Sequence, residues 1–237
     1  MTFSISQEEA EKRLTENDKR TVTERAKRLV TLGGITISLV GRMVPNLMSE
    51  YHGEARDSFV NGNCRSCIFN CSAALDQIIR HELIAGDSNT VEKDLELESK
   101  IITFGPMIDK ISREIPSLVH LEPKFRWMKK ARNTISVHPI CIIDSQIDSE
   151  TVNRQKADYI KKIIELLDEP ERKRTLTQKI TFQGRTIILK DVLENPKTED
   201  ADMYLMWDEH NRLVESVALK ANRTLNAVLT ELYPAEM

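Results

Sequence analysis

The sequence has no long hydrophobic run. In its 237 residues, no apolar stretch reaches the roughly 18–20 residues that are needed to span a bilayer. The opening MTFSISQEEAEKR is acidic and does not have the pattern of a secretion signal. We therefore expect an intracellular, cytoplasmic protein, in which the four cysteines remain free thiols.

The common motifs of nucleotide and metal enzymes are also missing. The chain has no GxxxxGK[ST] or GxGxxG phosphate loop, no HExxH and no GxSxG. These absences weigh against ATP hydrolysis, dinucleotide redox chemistry and metalloprotease activity. Net charge gives no general sign of nucleic-acid binding, because 34 Lys and Arg stand against 37 Asp and Glu, for a net charge of −3. Any nucleic-acid site must therefore be a local patch.

Three cysteines form a C-x2-C-x3-C pattern that invites comparison with metal-binding motifs. No second pair of Cys or His with ligand spacing occurs in the chain, so we predict no metal site. The pattern instead has the period of a buried helical stripe, whose members are Cys64, Cys67, Cys71, Ala74 and Ile78. His81 and His120 have no partner motif, and we interpret them as surface or hydrogen-bonded histidines.

The chain is also poor in Gly, Pro and Tyr, with 8, 8 and 4 residues. Segments with a 3.6-residue period dominate before residue 175, which predicts a mainly α fold. The predicted helices are about 6–31, about 37–60 with a kink at Pro45, about 63–85, TVEKDLELESKII, a short piece between Pro106 and Pro116, about 122–138, and the stretch from Asp148-Ser149 to Pro170.

After Pro170 the pattern changes. QKITFQGRTIILKDVL alternates apolar and polar residues around Gln183-Gly184, which predicts a β-hairpin docked on another element. A helix over about 207–232 follows, with apolar residues at alternating spacings of four and three. This seam, suited to another helix or to a protein partner, consists of Val214, Ala218, Ala221, Leu225, Val228 and Leu232.

The segment WMKKARNTISVHP, residues 127–139, places an arginine and a histidine on the inward side of a helix. At about 100° per residue, Arg132 lies within about 60° of three apolar residues, Phe125, Met128 and Ile135. His138 falls on the same side of the helix. An unpaired buried charge is costly, so Arg132 needs a partner. One interpretation is structural: Arg132 pairs with a carboxylate such as Asp76, and His138 caps the helix end.

The opposite face of this helix carries polar residues, Arg126, Lys129, Lys130 and Asn133. From Lys124 to Arg132 there are five cations and no acid.

The sequence around this helix resembles the HEPN superfamily, the higher eukaryote and prokaryote nucleotide-binding domains. Arg132-Asn133 followed by His138 is similar to the family's R-x(4–6)-H motif. YHGEARDSFVNGNCRSCIFNCSAALDQIIRHEL resembles its first helical hairpin, with Asp76 and Arg80 as an acidic residue and a basic residue four positions later. ISVHP and DSETVNRQKADYIKKIIELL resemble its ending, and the whole match covers about 47–170.

The resemblance implies a HEPN-like helical bundle over 47–170, with a helical extension at 1–46 and a β-hairpin and helix at 171–237. Active members are metal-independent endoribonucleases without a cofactor, and a role in stress response or anti-phage defence fits them. By this resemblance, Arg132 holds the scissile phosphate, His138 moves protons, and Asn133 completes the catalytic motif. The predicted RNA-binding cations are Lys124, Arg126, Lys129 and Lys130, and the predicted supporting pair is Asp76 and Arg80.

Two features differ from the family's usual pattern. Five residues separate Arg132 and His138, one more than in the common form, and Ile140 stands where members that a partner nucleotidyltransferase modifies have Tyr. The resemblance also implies a homodimer, and we expect its interface to include the 125–138 arc, because a lone subunit would leave that arc half solvated. The alternative function is a catalytically silent HEPN module that binds RNA, a nucleotide or a protein partner.

Overall fold

A computed structural model of the chain describes residues 6–35, 37–39, 42, 44–85, 103–137, 149–182, 185–196 and 200–234. Helices dominate these residues, which confirms the mainly α prediction. The elements are α1 (Gln7–Gly33), α2 (Asn46–Val60), α3 (Cys64–Ala85), α4 (Phe104–Glu114), a 3-10 helix (Pro116–Leu121), α5 (Glu122–Ala131), a π turn (Arg132–Val137), α6 (Ser149–Ile164), α7 (Glu169–Thr177), β1 (Lys179–Phe182), β2 (Arg185–Ile188), α8 (Leu189–Glu194) and α9 (Asp200–Leu232).

Helix ends that carry a cap or a glycine lie close to their predicted positions. Ser6 caps α1 by accepting a hydrogen bond from the Glu9 amide at 3.2 Å. Asn61 follows α2, and Gly62 takes the positive φ of 80° that turns the chain into α3. The predicted helix TVEKDLELESKII lies outside the described residues.

The two helix boundaries that involve Pro45 and Pro170 correct the prediction. A helix over 37–60 with a kink at Pro45 is wrong, because the described residues before Asn46 are not helical. Proline disfavours the α conformation in the residue before it, so α2 begins after Pro45. The helix predicted to reach Pro170 ends at Ile164, and Pro170 lies in the first turn of α7, where its missing N–H costs nothing.

The hairpin prediction is confirmed in its first part only. β1 and β2 pair antiparallel, with Lys179 opposite Ile188. The following LKDVL forms α8 rather than extending the strand, because Leu189, Val192 and Leu193 share one buried helical face. α9 begins at Asp200, before the predicted position 207.

α3 lies at the centre of the fold and packs against α2, α4, α5, the π turn and α9. The predicted cysteine stripe is confirmed, since Cys67, Cys71, Ala74 and Ile78 are fully buried and Cys64 is partly buried. Most of the predicted seam on α9 is buried inside the same chain, where Asn222 Nδ2 donates to Cys67 Sγ at 3.0 Å. A protein partner through α9 stays a prediction.

One cluster of buried residues runs from Leu32 to Tyr233, so it includes residues of all three predicted segments. Within the described residues, no helix has both the length and the apolar character that crossing a membrane requires.

Candidate functional site

The site is built around the π turn that directly continues α5. A π turn closes i→i+5 hydrogen bonds and often occurs at functional sites. Ile135 anchors the turn from inside, because its side chain is fully buried. Ser136 anchors it to α3, because its hydroxyl donates to the Arg65 carbonyl at 2.8 Å. These two contacts fix the backbone that follows Arg132.

The predicted inward arc is confirmed for its apolar residues. Phe125, Met128, Ala131 and Ile135 have no exposed surface. A single chain therefore already covers the apolar residues of this arc, and their burial does not require a second subunit. The homodimer itself stays a prediction.

Arg132 is partly buried and has no carboxylate within 4 Å among the residues that the structure describes. Its guanidinium carbon lies 5.6 Å from the centroid of the Phe104 ring, within reach of a cation–π contact. Its Nη2 and Nε donate to the Asn133 amide oxygen at 3.3 and 3.4 Å, which are long hydrogen bonds. Asn133 thus orients the guanidinium without neutralising it.

The carboxylate that the structural interpretation assigned to Arg132 is engaged elsewhere. Asp76 Oδ2 accepts from Arg80 Nε at 3.2 Å, and this pair lies on one face of α3. Burial raises the pKa of Asp76, while the guanidinium groups of Arg80 and Arg132 oppose that rise. Asp76 and Arg80, the predicted supporting pair, therefore lie near Arg132 but bind each other.

The predicted RNA-binding cations fall into two groups. Lys124 pairs with Glu231 at 3.3 Å, and Lys130 pairs with Glu165 at 3.0 Å. Arg126 contacts Asp109 at 2.7 Å and Glu122 at 2.5 Å. Most of these acids belong to other elements, so the sequence of α5 alone overstates the positive charge of its surface.

Lys129 forms the second group together with Arg132. The prediction that Lys129 points to the face opposite Arg132 is wrong, because the two residues lie only about 60° apart around the helix. In the described part of the chain, no carboxylate lies within 4 Å of Lys129. Its ammonium group packs so closely on Gly105 that a Cβ at that position would collide with it. Since Arg132 covers the neighbouring Phe104, two cations without a carboxylate partner meet at the start of α4.

His138, the predicted proton carrier, lies outside the described residues. Among the residues that are described, no group of three His, Cys, Asp or Glu side chains is placed to hold a metal ion.

Phe69 is a candidate site residue that the sequence did not reveal. It is 46% exposed, and it lies one helical turn from Arg65, whose carbonyl binds the π turn. Asp76, which is electrostatically coupled to Arg132, lies two turns further on the same side of α3. The sequence could have predicted its exposure from its position around the α3 axis, because residue 69 lies about 200° from Cys67 and so faces away from the buried stripe.

No family model, no curated protein and no solved structure matches the chain.

Proposed function

We propose that the protein is a metal-independent endoribonuclease of the HEPN type, in which Arg132 holds the scissile phosphate and His138 serves as general acid and base. The observation that supports it best is the placement of Arg132 and Lys129. Both side chains pack against the start of α4, and neither has a carboxylate within 4 Å among the described residues. The other three cations of α5 are each paired with a carboxylate.

An RNA phosphate supplies the charge that this pair of cations lacks. A partly buried guanidinium is poorly hydrated, so it gains more from a bound anion than an exposed one does. Arg132 presents its donors as a planar fork, which matches two phosphate oxygens. Lys129 adds a point charge one turn away on the same helix. The chemistry favours a phosphodiester over an uncharged ligand.

Cleavage then needs proton transfer and charge stabilisation. The 2′-hydroxyl attacks phosphorus and loses its proton, a bond forms between O2′ and phosphorus, and the bond to O5′ breaks as O5′ gains a proton. Histidine titrates near neutral pH and serves both transfers. Arg132 stabilises the negative charge that builds up on the phosphoryl oxygens. The products are a 2′,3′-cyclic phosphate and a 5′-hydroxyl.

Phe69 gives the RNA a place to stack a base. Exposed aromatic rings bind unpaired bases of any sequence, and each stacked base contributes about 1–3 kcal/mol. The ring lies on the side of α3 that flanks the π turn. The proposal therefore specifies a single-stranded RNA substrate.

The test is a cleavage assay on labelled single-stranded RNA in the presence of EDTA. We expect wild type to leave a 2′,3′-cyclic phosphate and to spare DNA, since only RNA carries the nucleophile. Arg132→Ala and His138→Ala should each lower the cleavage rate about 10²-fold or more, the usual scale for losing such a group. The matched control is Arg113→Ala, an exposed arginine whose guanidinium donates to the Asp109 carbonyl of its own helix at 3.0 Å.

The outcomes separate three cases. Equal cleavage by wild type and both motif variants would indicate a contaminating nuclease and refute the assignment. If neither wild type nor any variant cleaves RNA, but wild type binds RNA more tightly than Arg132→Ala does, the protein is the catalytically silent RNA-binding module. If wild type neither cleaves nor binds RNA, both functions are refuted.

A further inference from the structure

α1 is a long helix that lies mostly outside the core. It has 27 residues, a length of about 40 Å at 1.5 Å per residue. Leu32 is its one buried residue, and every residue from 11 to 20 is exposed. Helices gain most of their stability in water by packing an apolar face, so a long helix with so little packing is unusual.

Large apolar side chains are concentrated on this helix. Among the described residues, four of the seven exposed large hydrophobic side chains belong to α1. They are Leu14, Val22, Leu29 and Val30, with exposures of 66%, 57%, 53% and 78%. Leu29 lies about 20° from Val22 around the helix axis, and Leu14 and Val30 lie about 80° from it on opposite sides, so the four residues share one broad side of the helix. Val22, Ala26 and Val30 also line a shallow surface groove. Single exposed hydrophobic residues are ordinary, but a contiguous set marks a contact surface.

Charge is separated along the same helix. Residues 7–18 contain five acids and two bases, a net charge of −3, whereas residues 19–33 contain five bases and one acid, a net charge of +4. The helix dipole does not account for this separation, because its effect is confined to the terminal turns and the last turn of α1 has no basic residue.

We infer that α1 pairs antiparallel with α1 of a second copy of this chain. Only the antiparallel arrangement places each acidic half against a basic half, since a parallel pair would set like charges side by side. With the two-fold axis at Val22, Leu14 of one copy faces Leu29 of the other, and Asp18 faces Arg25. The contact between residues 14 and 30 extends over about 24 Å.

This pairing closes on itself. A two-fold contact uses the same surface on both copies, so it yields a dimer and not a filament. The contact uses residues of α1 and none of the 125–138 segment, and the inference does not depend on the proposed ribonuclease activity.

The first experiment measures the mass of the full chain by sedimentation equilibrium over a concentration series. We expect a reversible dimer that weakens as salt increases, because part of the attraction is between exposed charges. Val22→Glu places two carboxylates at the axis and should weaken the dimer at least about tenfold. The matched control is Val119→Glu, which alters an exposed valine outside α1 and should leave the dimer unchanged. Circular dichroism checks that both variants remain helical.

The second experiment determines the orientation. Mild oxidation should cross-link Val22→Cys with itself, because the axis passes through that position. Leu29→Cys should not cross-link with itself, because the two copies of this position lie about 21 Å apart along the pair, but it should cross-link when mixed with Leu14→Cys. A monomer at every concentration, or a Val22→Glu variant that dimerises as strongly as wild type, would refute the inference. Self-cross-linking of Leu29→Cys would show a parallel pair, and capture of a different protein by a chain that stays monomeric would assign the face to another partner.

Discussion

Lys220 holds α5, the helix that leads into the candidate site, against the rest of the fold, and its removal should lower the stability of the protein. Its ammonium nitrogen lies 4.7 Å from the centroid of the Trp127 ring. The same nitrogen donates to the Leu166 carbonyl at 2.9 Å and contacts Asp168 at 2.6 Å. Trp127 belongs to α5, which ends at Ala131 directly before Arg132, and its Nε1 also donates to the Leu166 carbonyl, at 2.9 Å. Lys220 therefore joins α5 to the end of α6 from its place on α9.

The size of the effect follows from these contacts. Lys220→Met keeps most of the aliphatic chain and removes the charge. The lost cation–π contact is worth about 1 kcal/mol at a partly buried position, and the lost charged hydrogen bond about 1.5 kcal/mol. The ion pair adds little, because Asp168 is 66% exposed. The Leu166 carbonyl keeps its bond from Trp127, so no acceptor is left unsatisfied. We expect the free energy of unfolding to fall by about 2–3 kcal/mol.

Urea denaturation followed by circular dichroism measures this loss. Lys161→Met is the matched control, because Lys161 forms only an exposed pair with Asp158 at 3.2 Å and its removal should change stability by less than about 0.5 kcal/mol. The loss in Lys220→Met should also persist in 1 M salt, which screens exposed pairs (about a 3 Å Debye length) far more than partly buried contacts. If Lys220→Met loses no more stability than Lys161→Met, the argument from these contacts fails.

Two further predictions concern pH and backbone conformation. Burial lowers the pKa of His52, whose Nε2 donates to Asn226 Oδ1 at 3.1 Å. Below about pH 6.5 the unfolded chain therefore binds this proton more readily than the folded protein. The free energy of unfolding should fall between pH 7 and pH 5, and less steeply in His52→Gln; equal pH profiles would refute this. Gly62→Ala should destabilise by about 1–2 kcal/mol, because φ is +80° and the new Cβ would lie 3.0 Å from Arg28 Nη1. Gly53→Ala, which meets open space within α2, should instead stabilise by about 0.5–1 kcal/mol, and chemical denaturation that gave both variants the same sign would contradict this assignment.

The sequence predicted helix ends better where glycine marks them than where proline does. Gly62 permits a backbone conformation that other residues avoid, so Asn61-Gly62 indicated a helix end and nothing else. Proline is compatible with a kink, a helix end or a first turn. Pro45 precedes a helix and Pro170 lies inside one, although both had been predicted otherwise. Local sequence does not distinguish these cases, because the choice depends on which residues the rest of the chain buries.

For the candidate site, the sequence predicted which face of α5 is buried, but it did not predict the carboxylates that pair with its lysines. The helical period was enough to bury Phe125 and Ile135, because that period is a property of one helix. The partners of Lys124 and Lys130 are Glu231 and Glu165, which lie 107 and 35 residues away in sequence. Their pairing depends on how the helices pack. Of the five cations in the sequence, only Lys129 and Arg132 therefore lack a carboxylate partner among the described residues.

The π turn changes the number of residues per turn at the candidate site. An i→i+5 ring encloses one residue more than the i→i+4 ring of an α-helix. Ile135 in the core and Ser136 on α3 hold the turn from both sides. The wider ring is thus accommodated within Arg132–Val137, and α5 before it stays packed on the core through Phe125 and Met128.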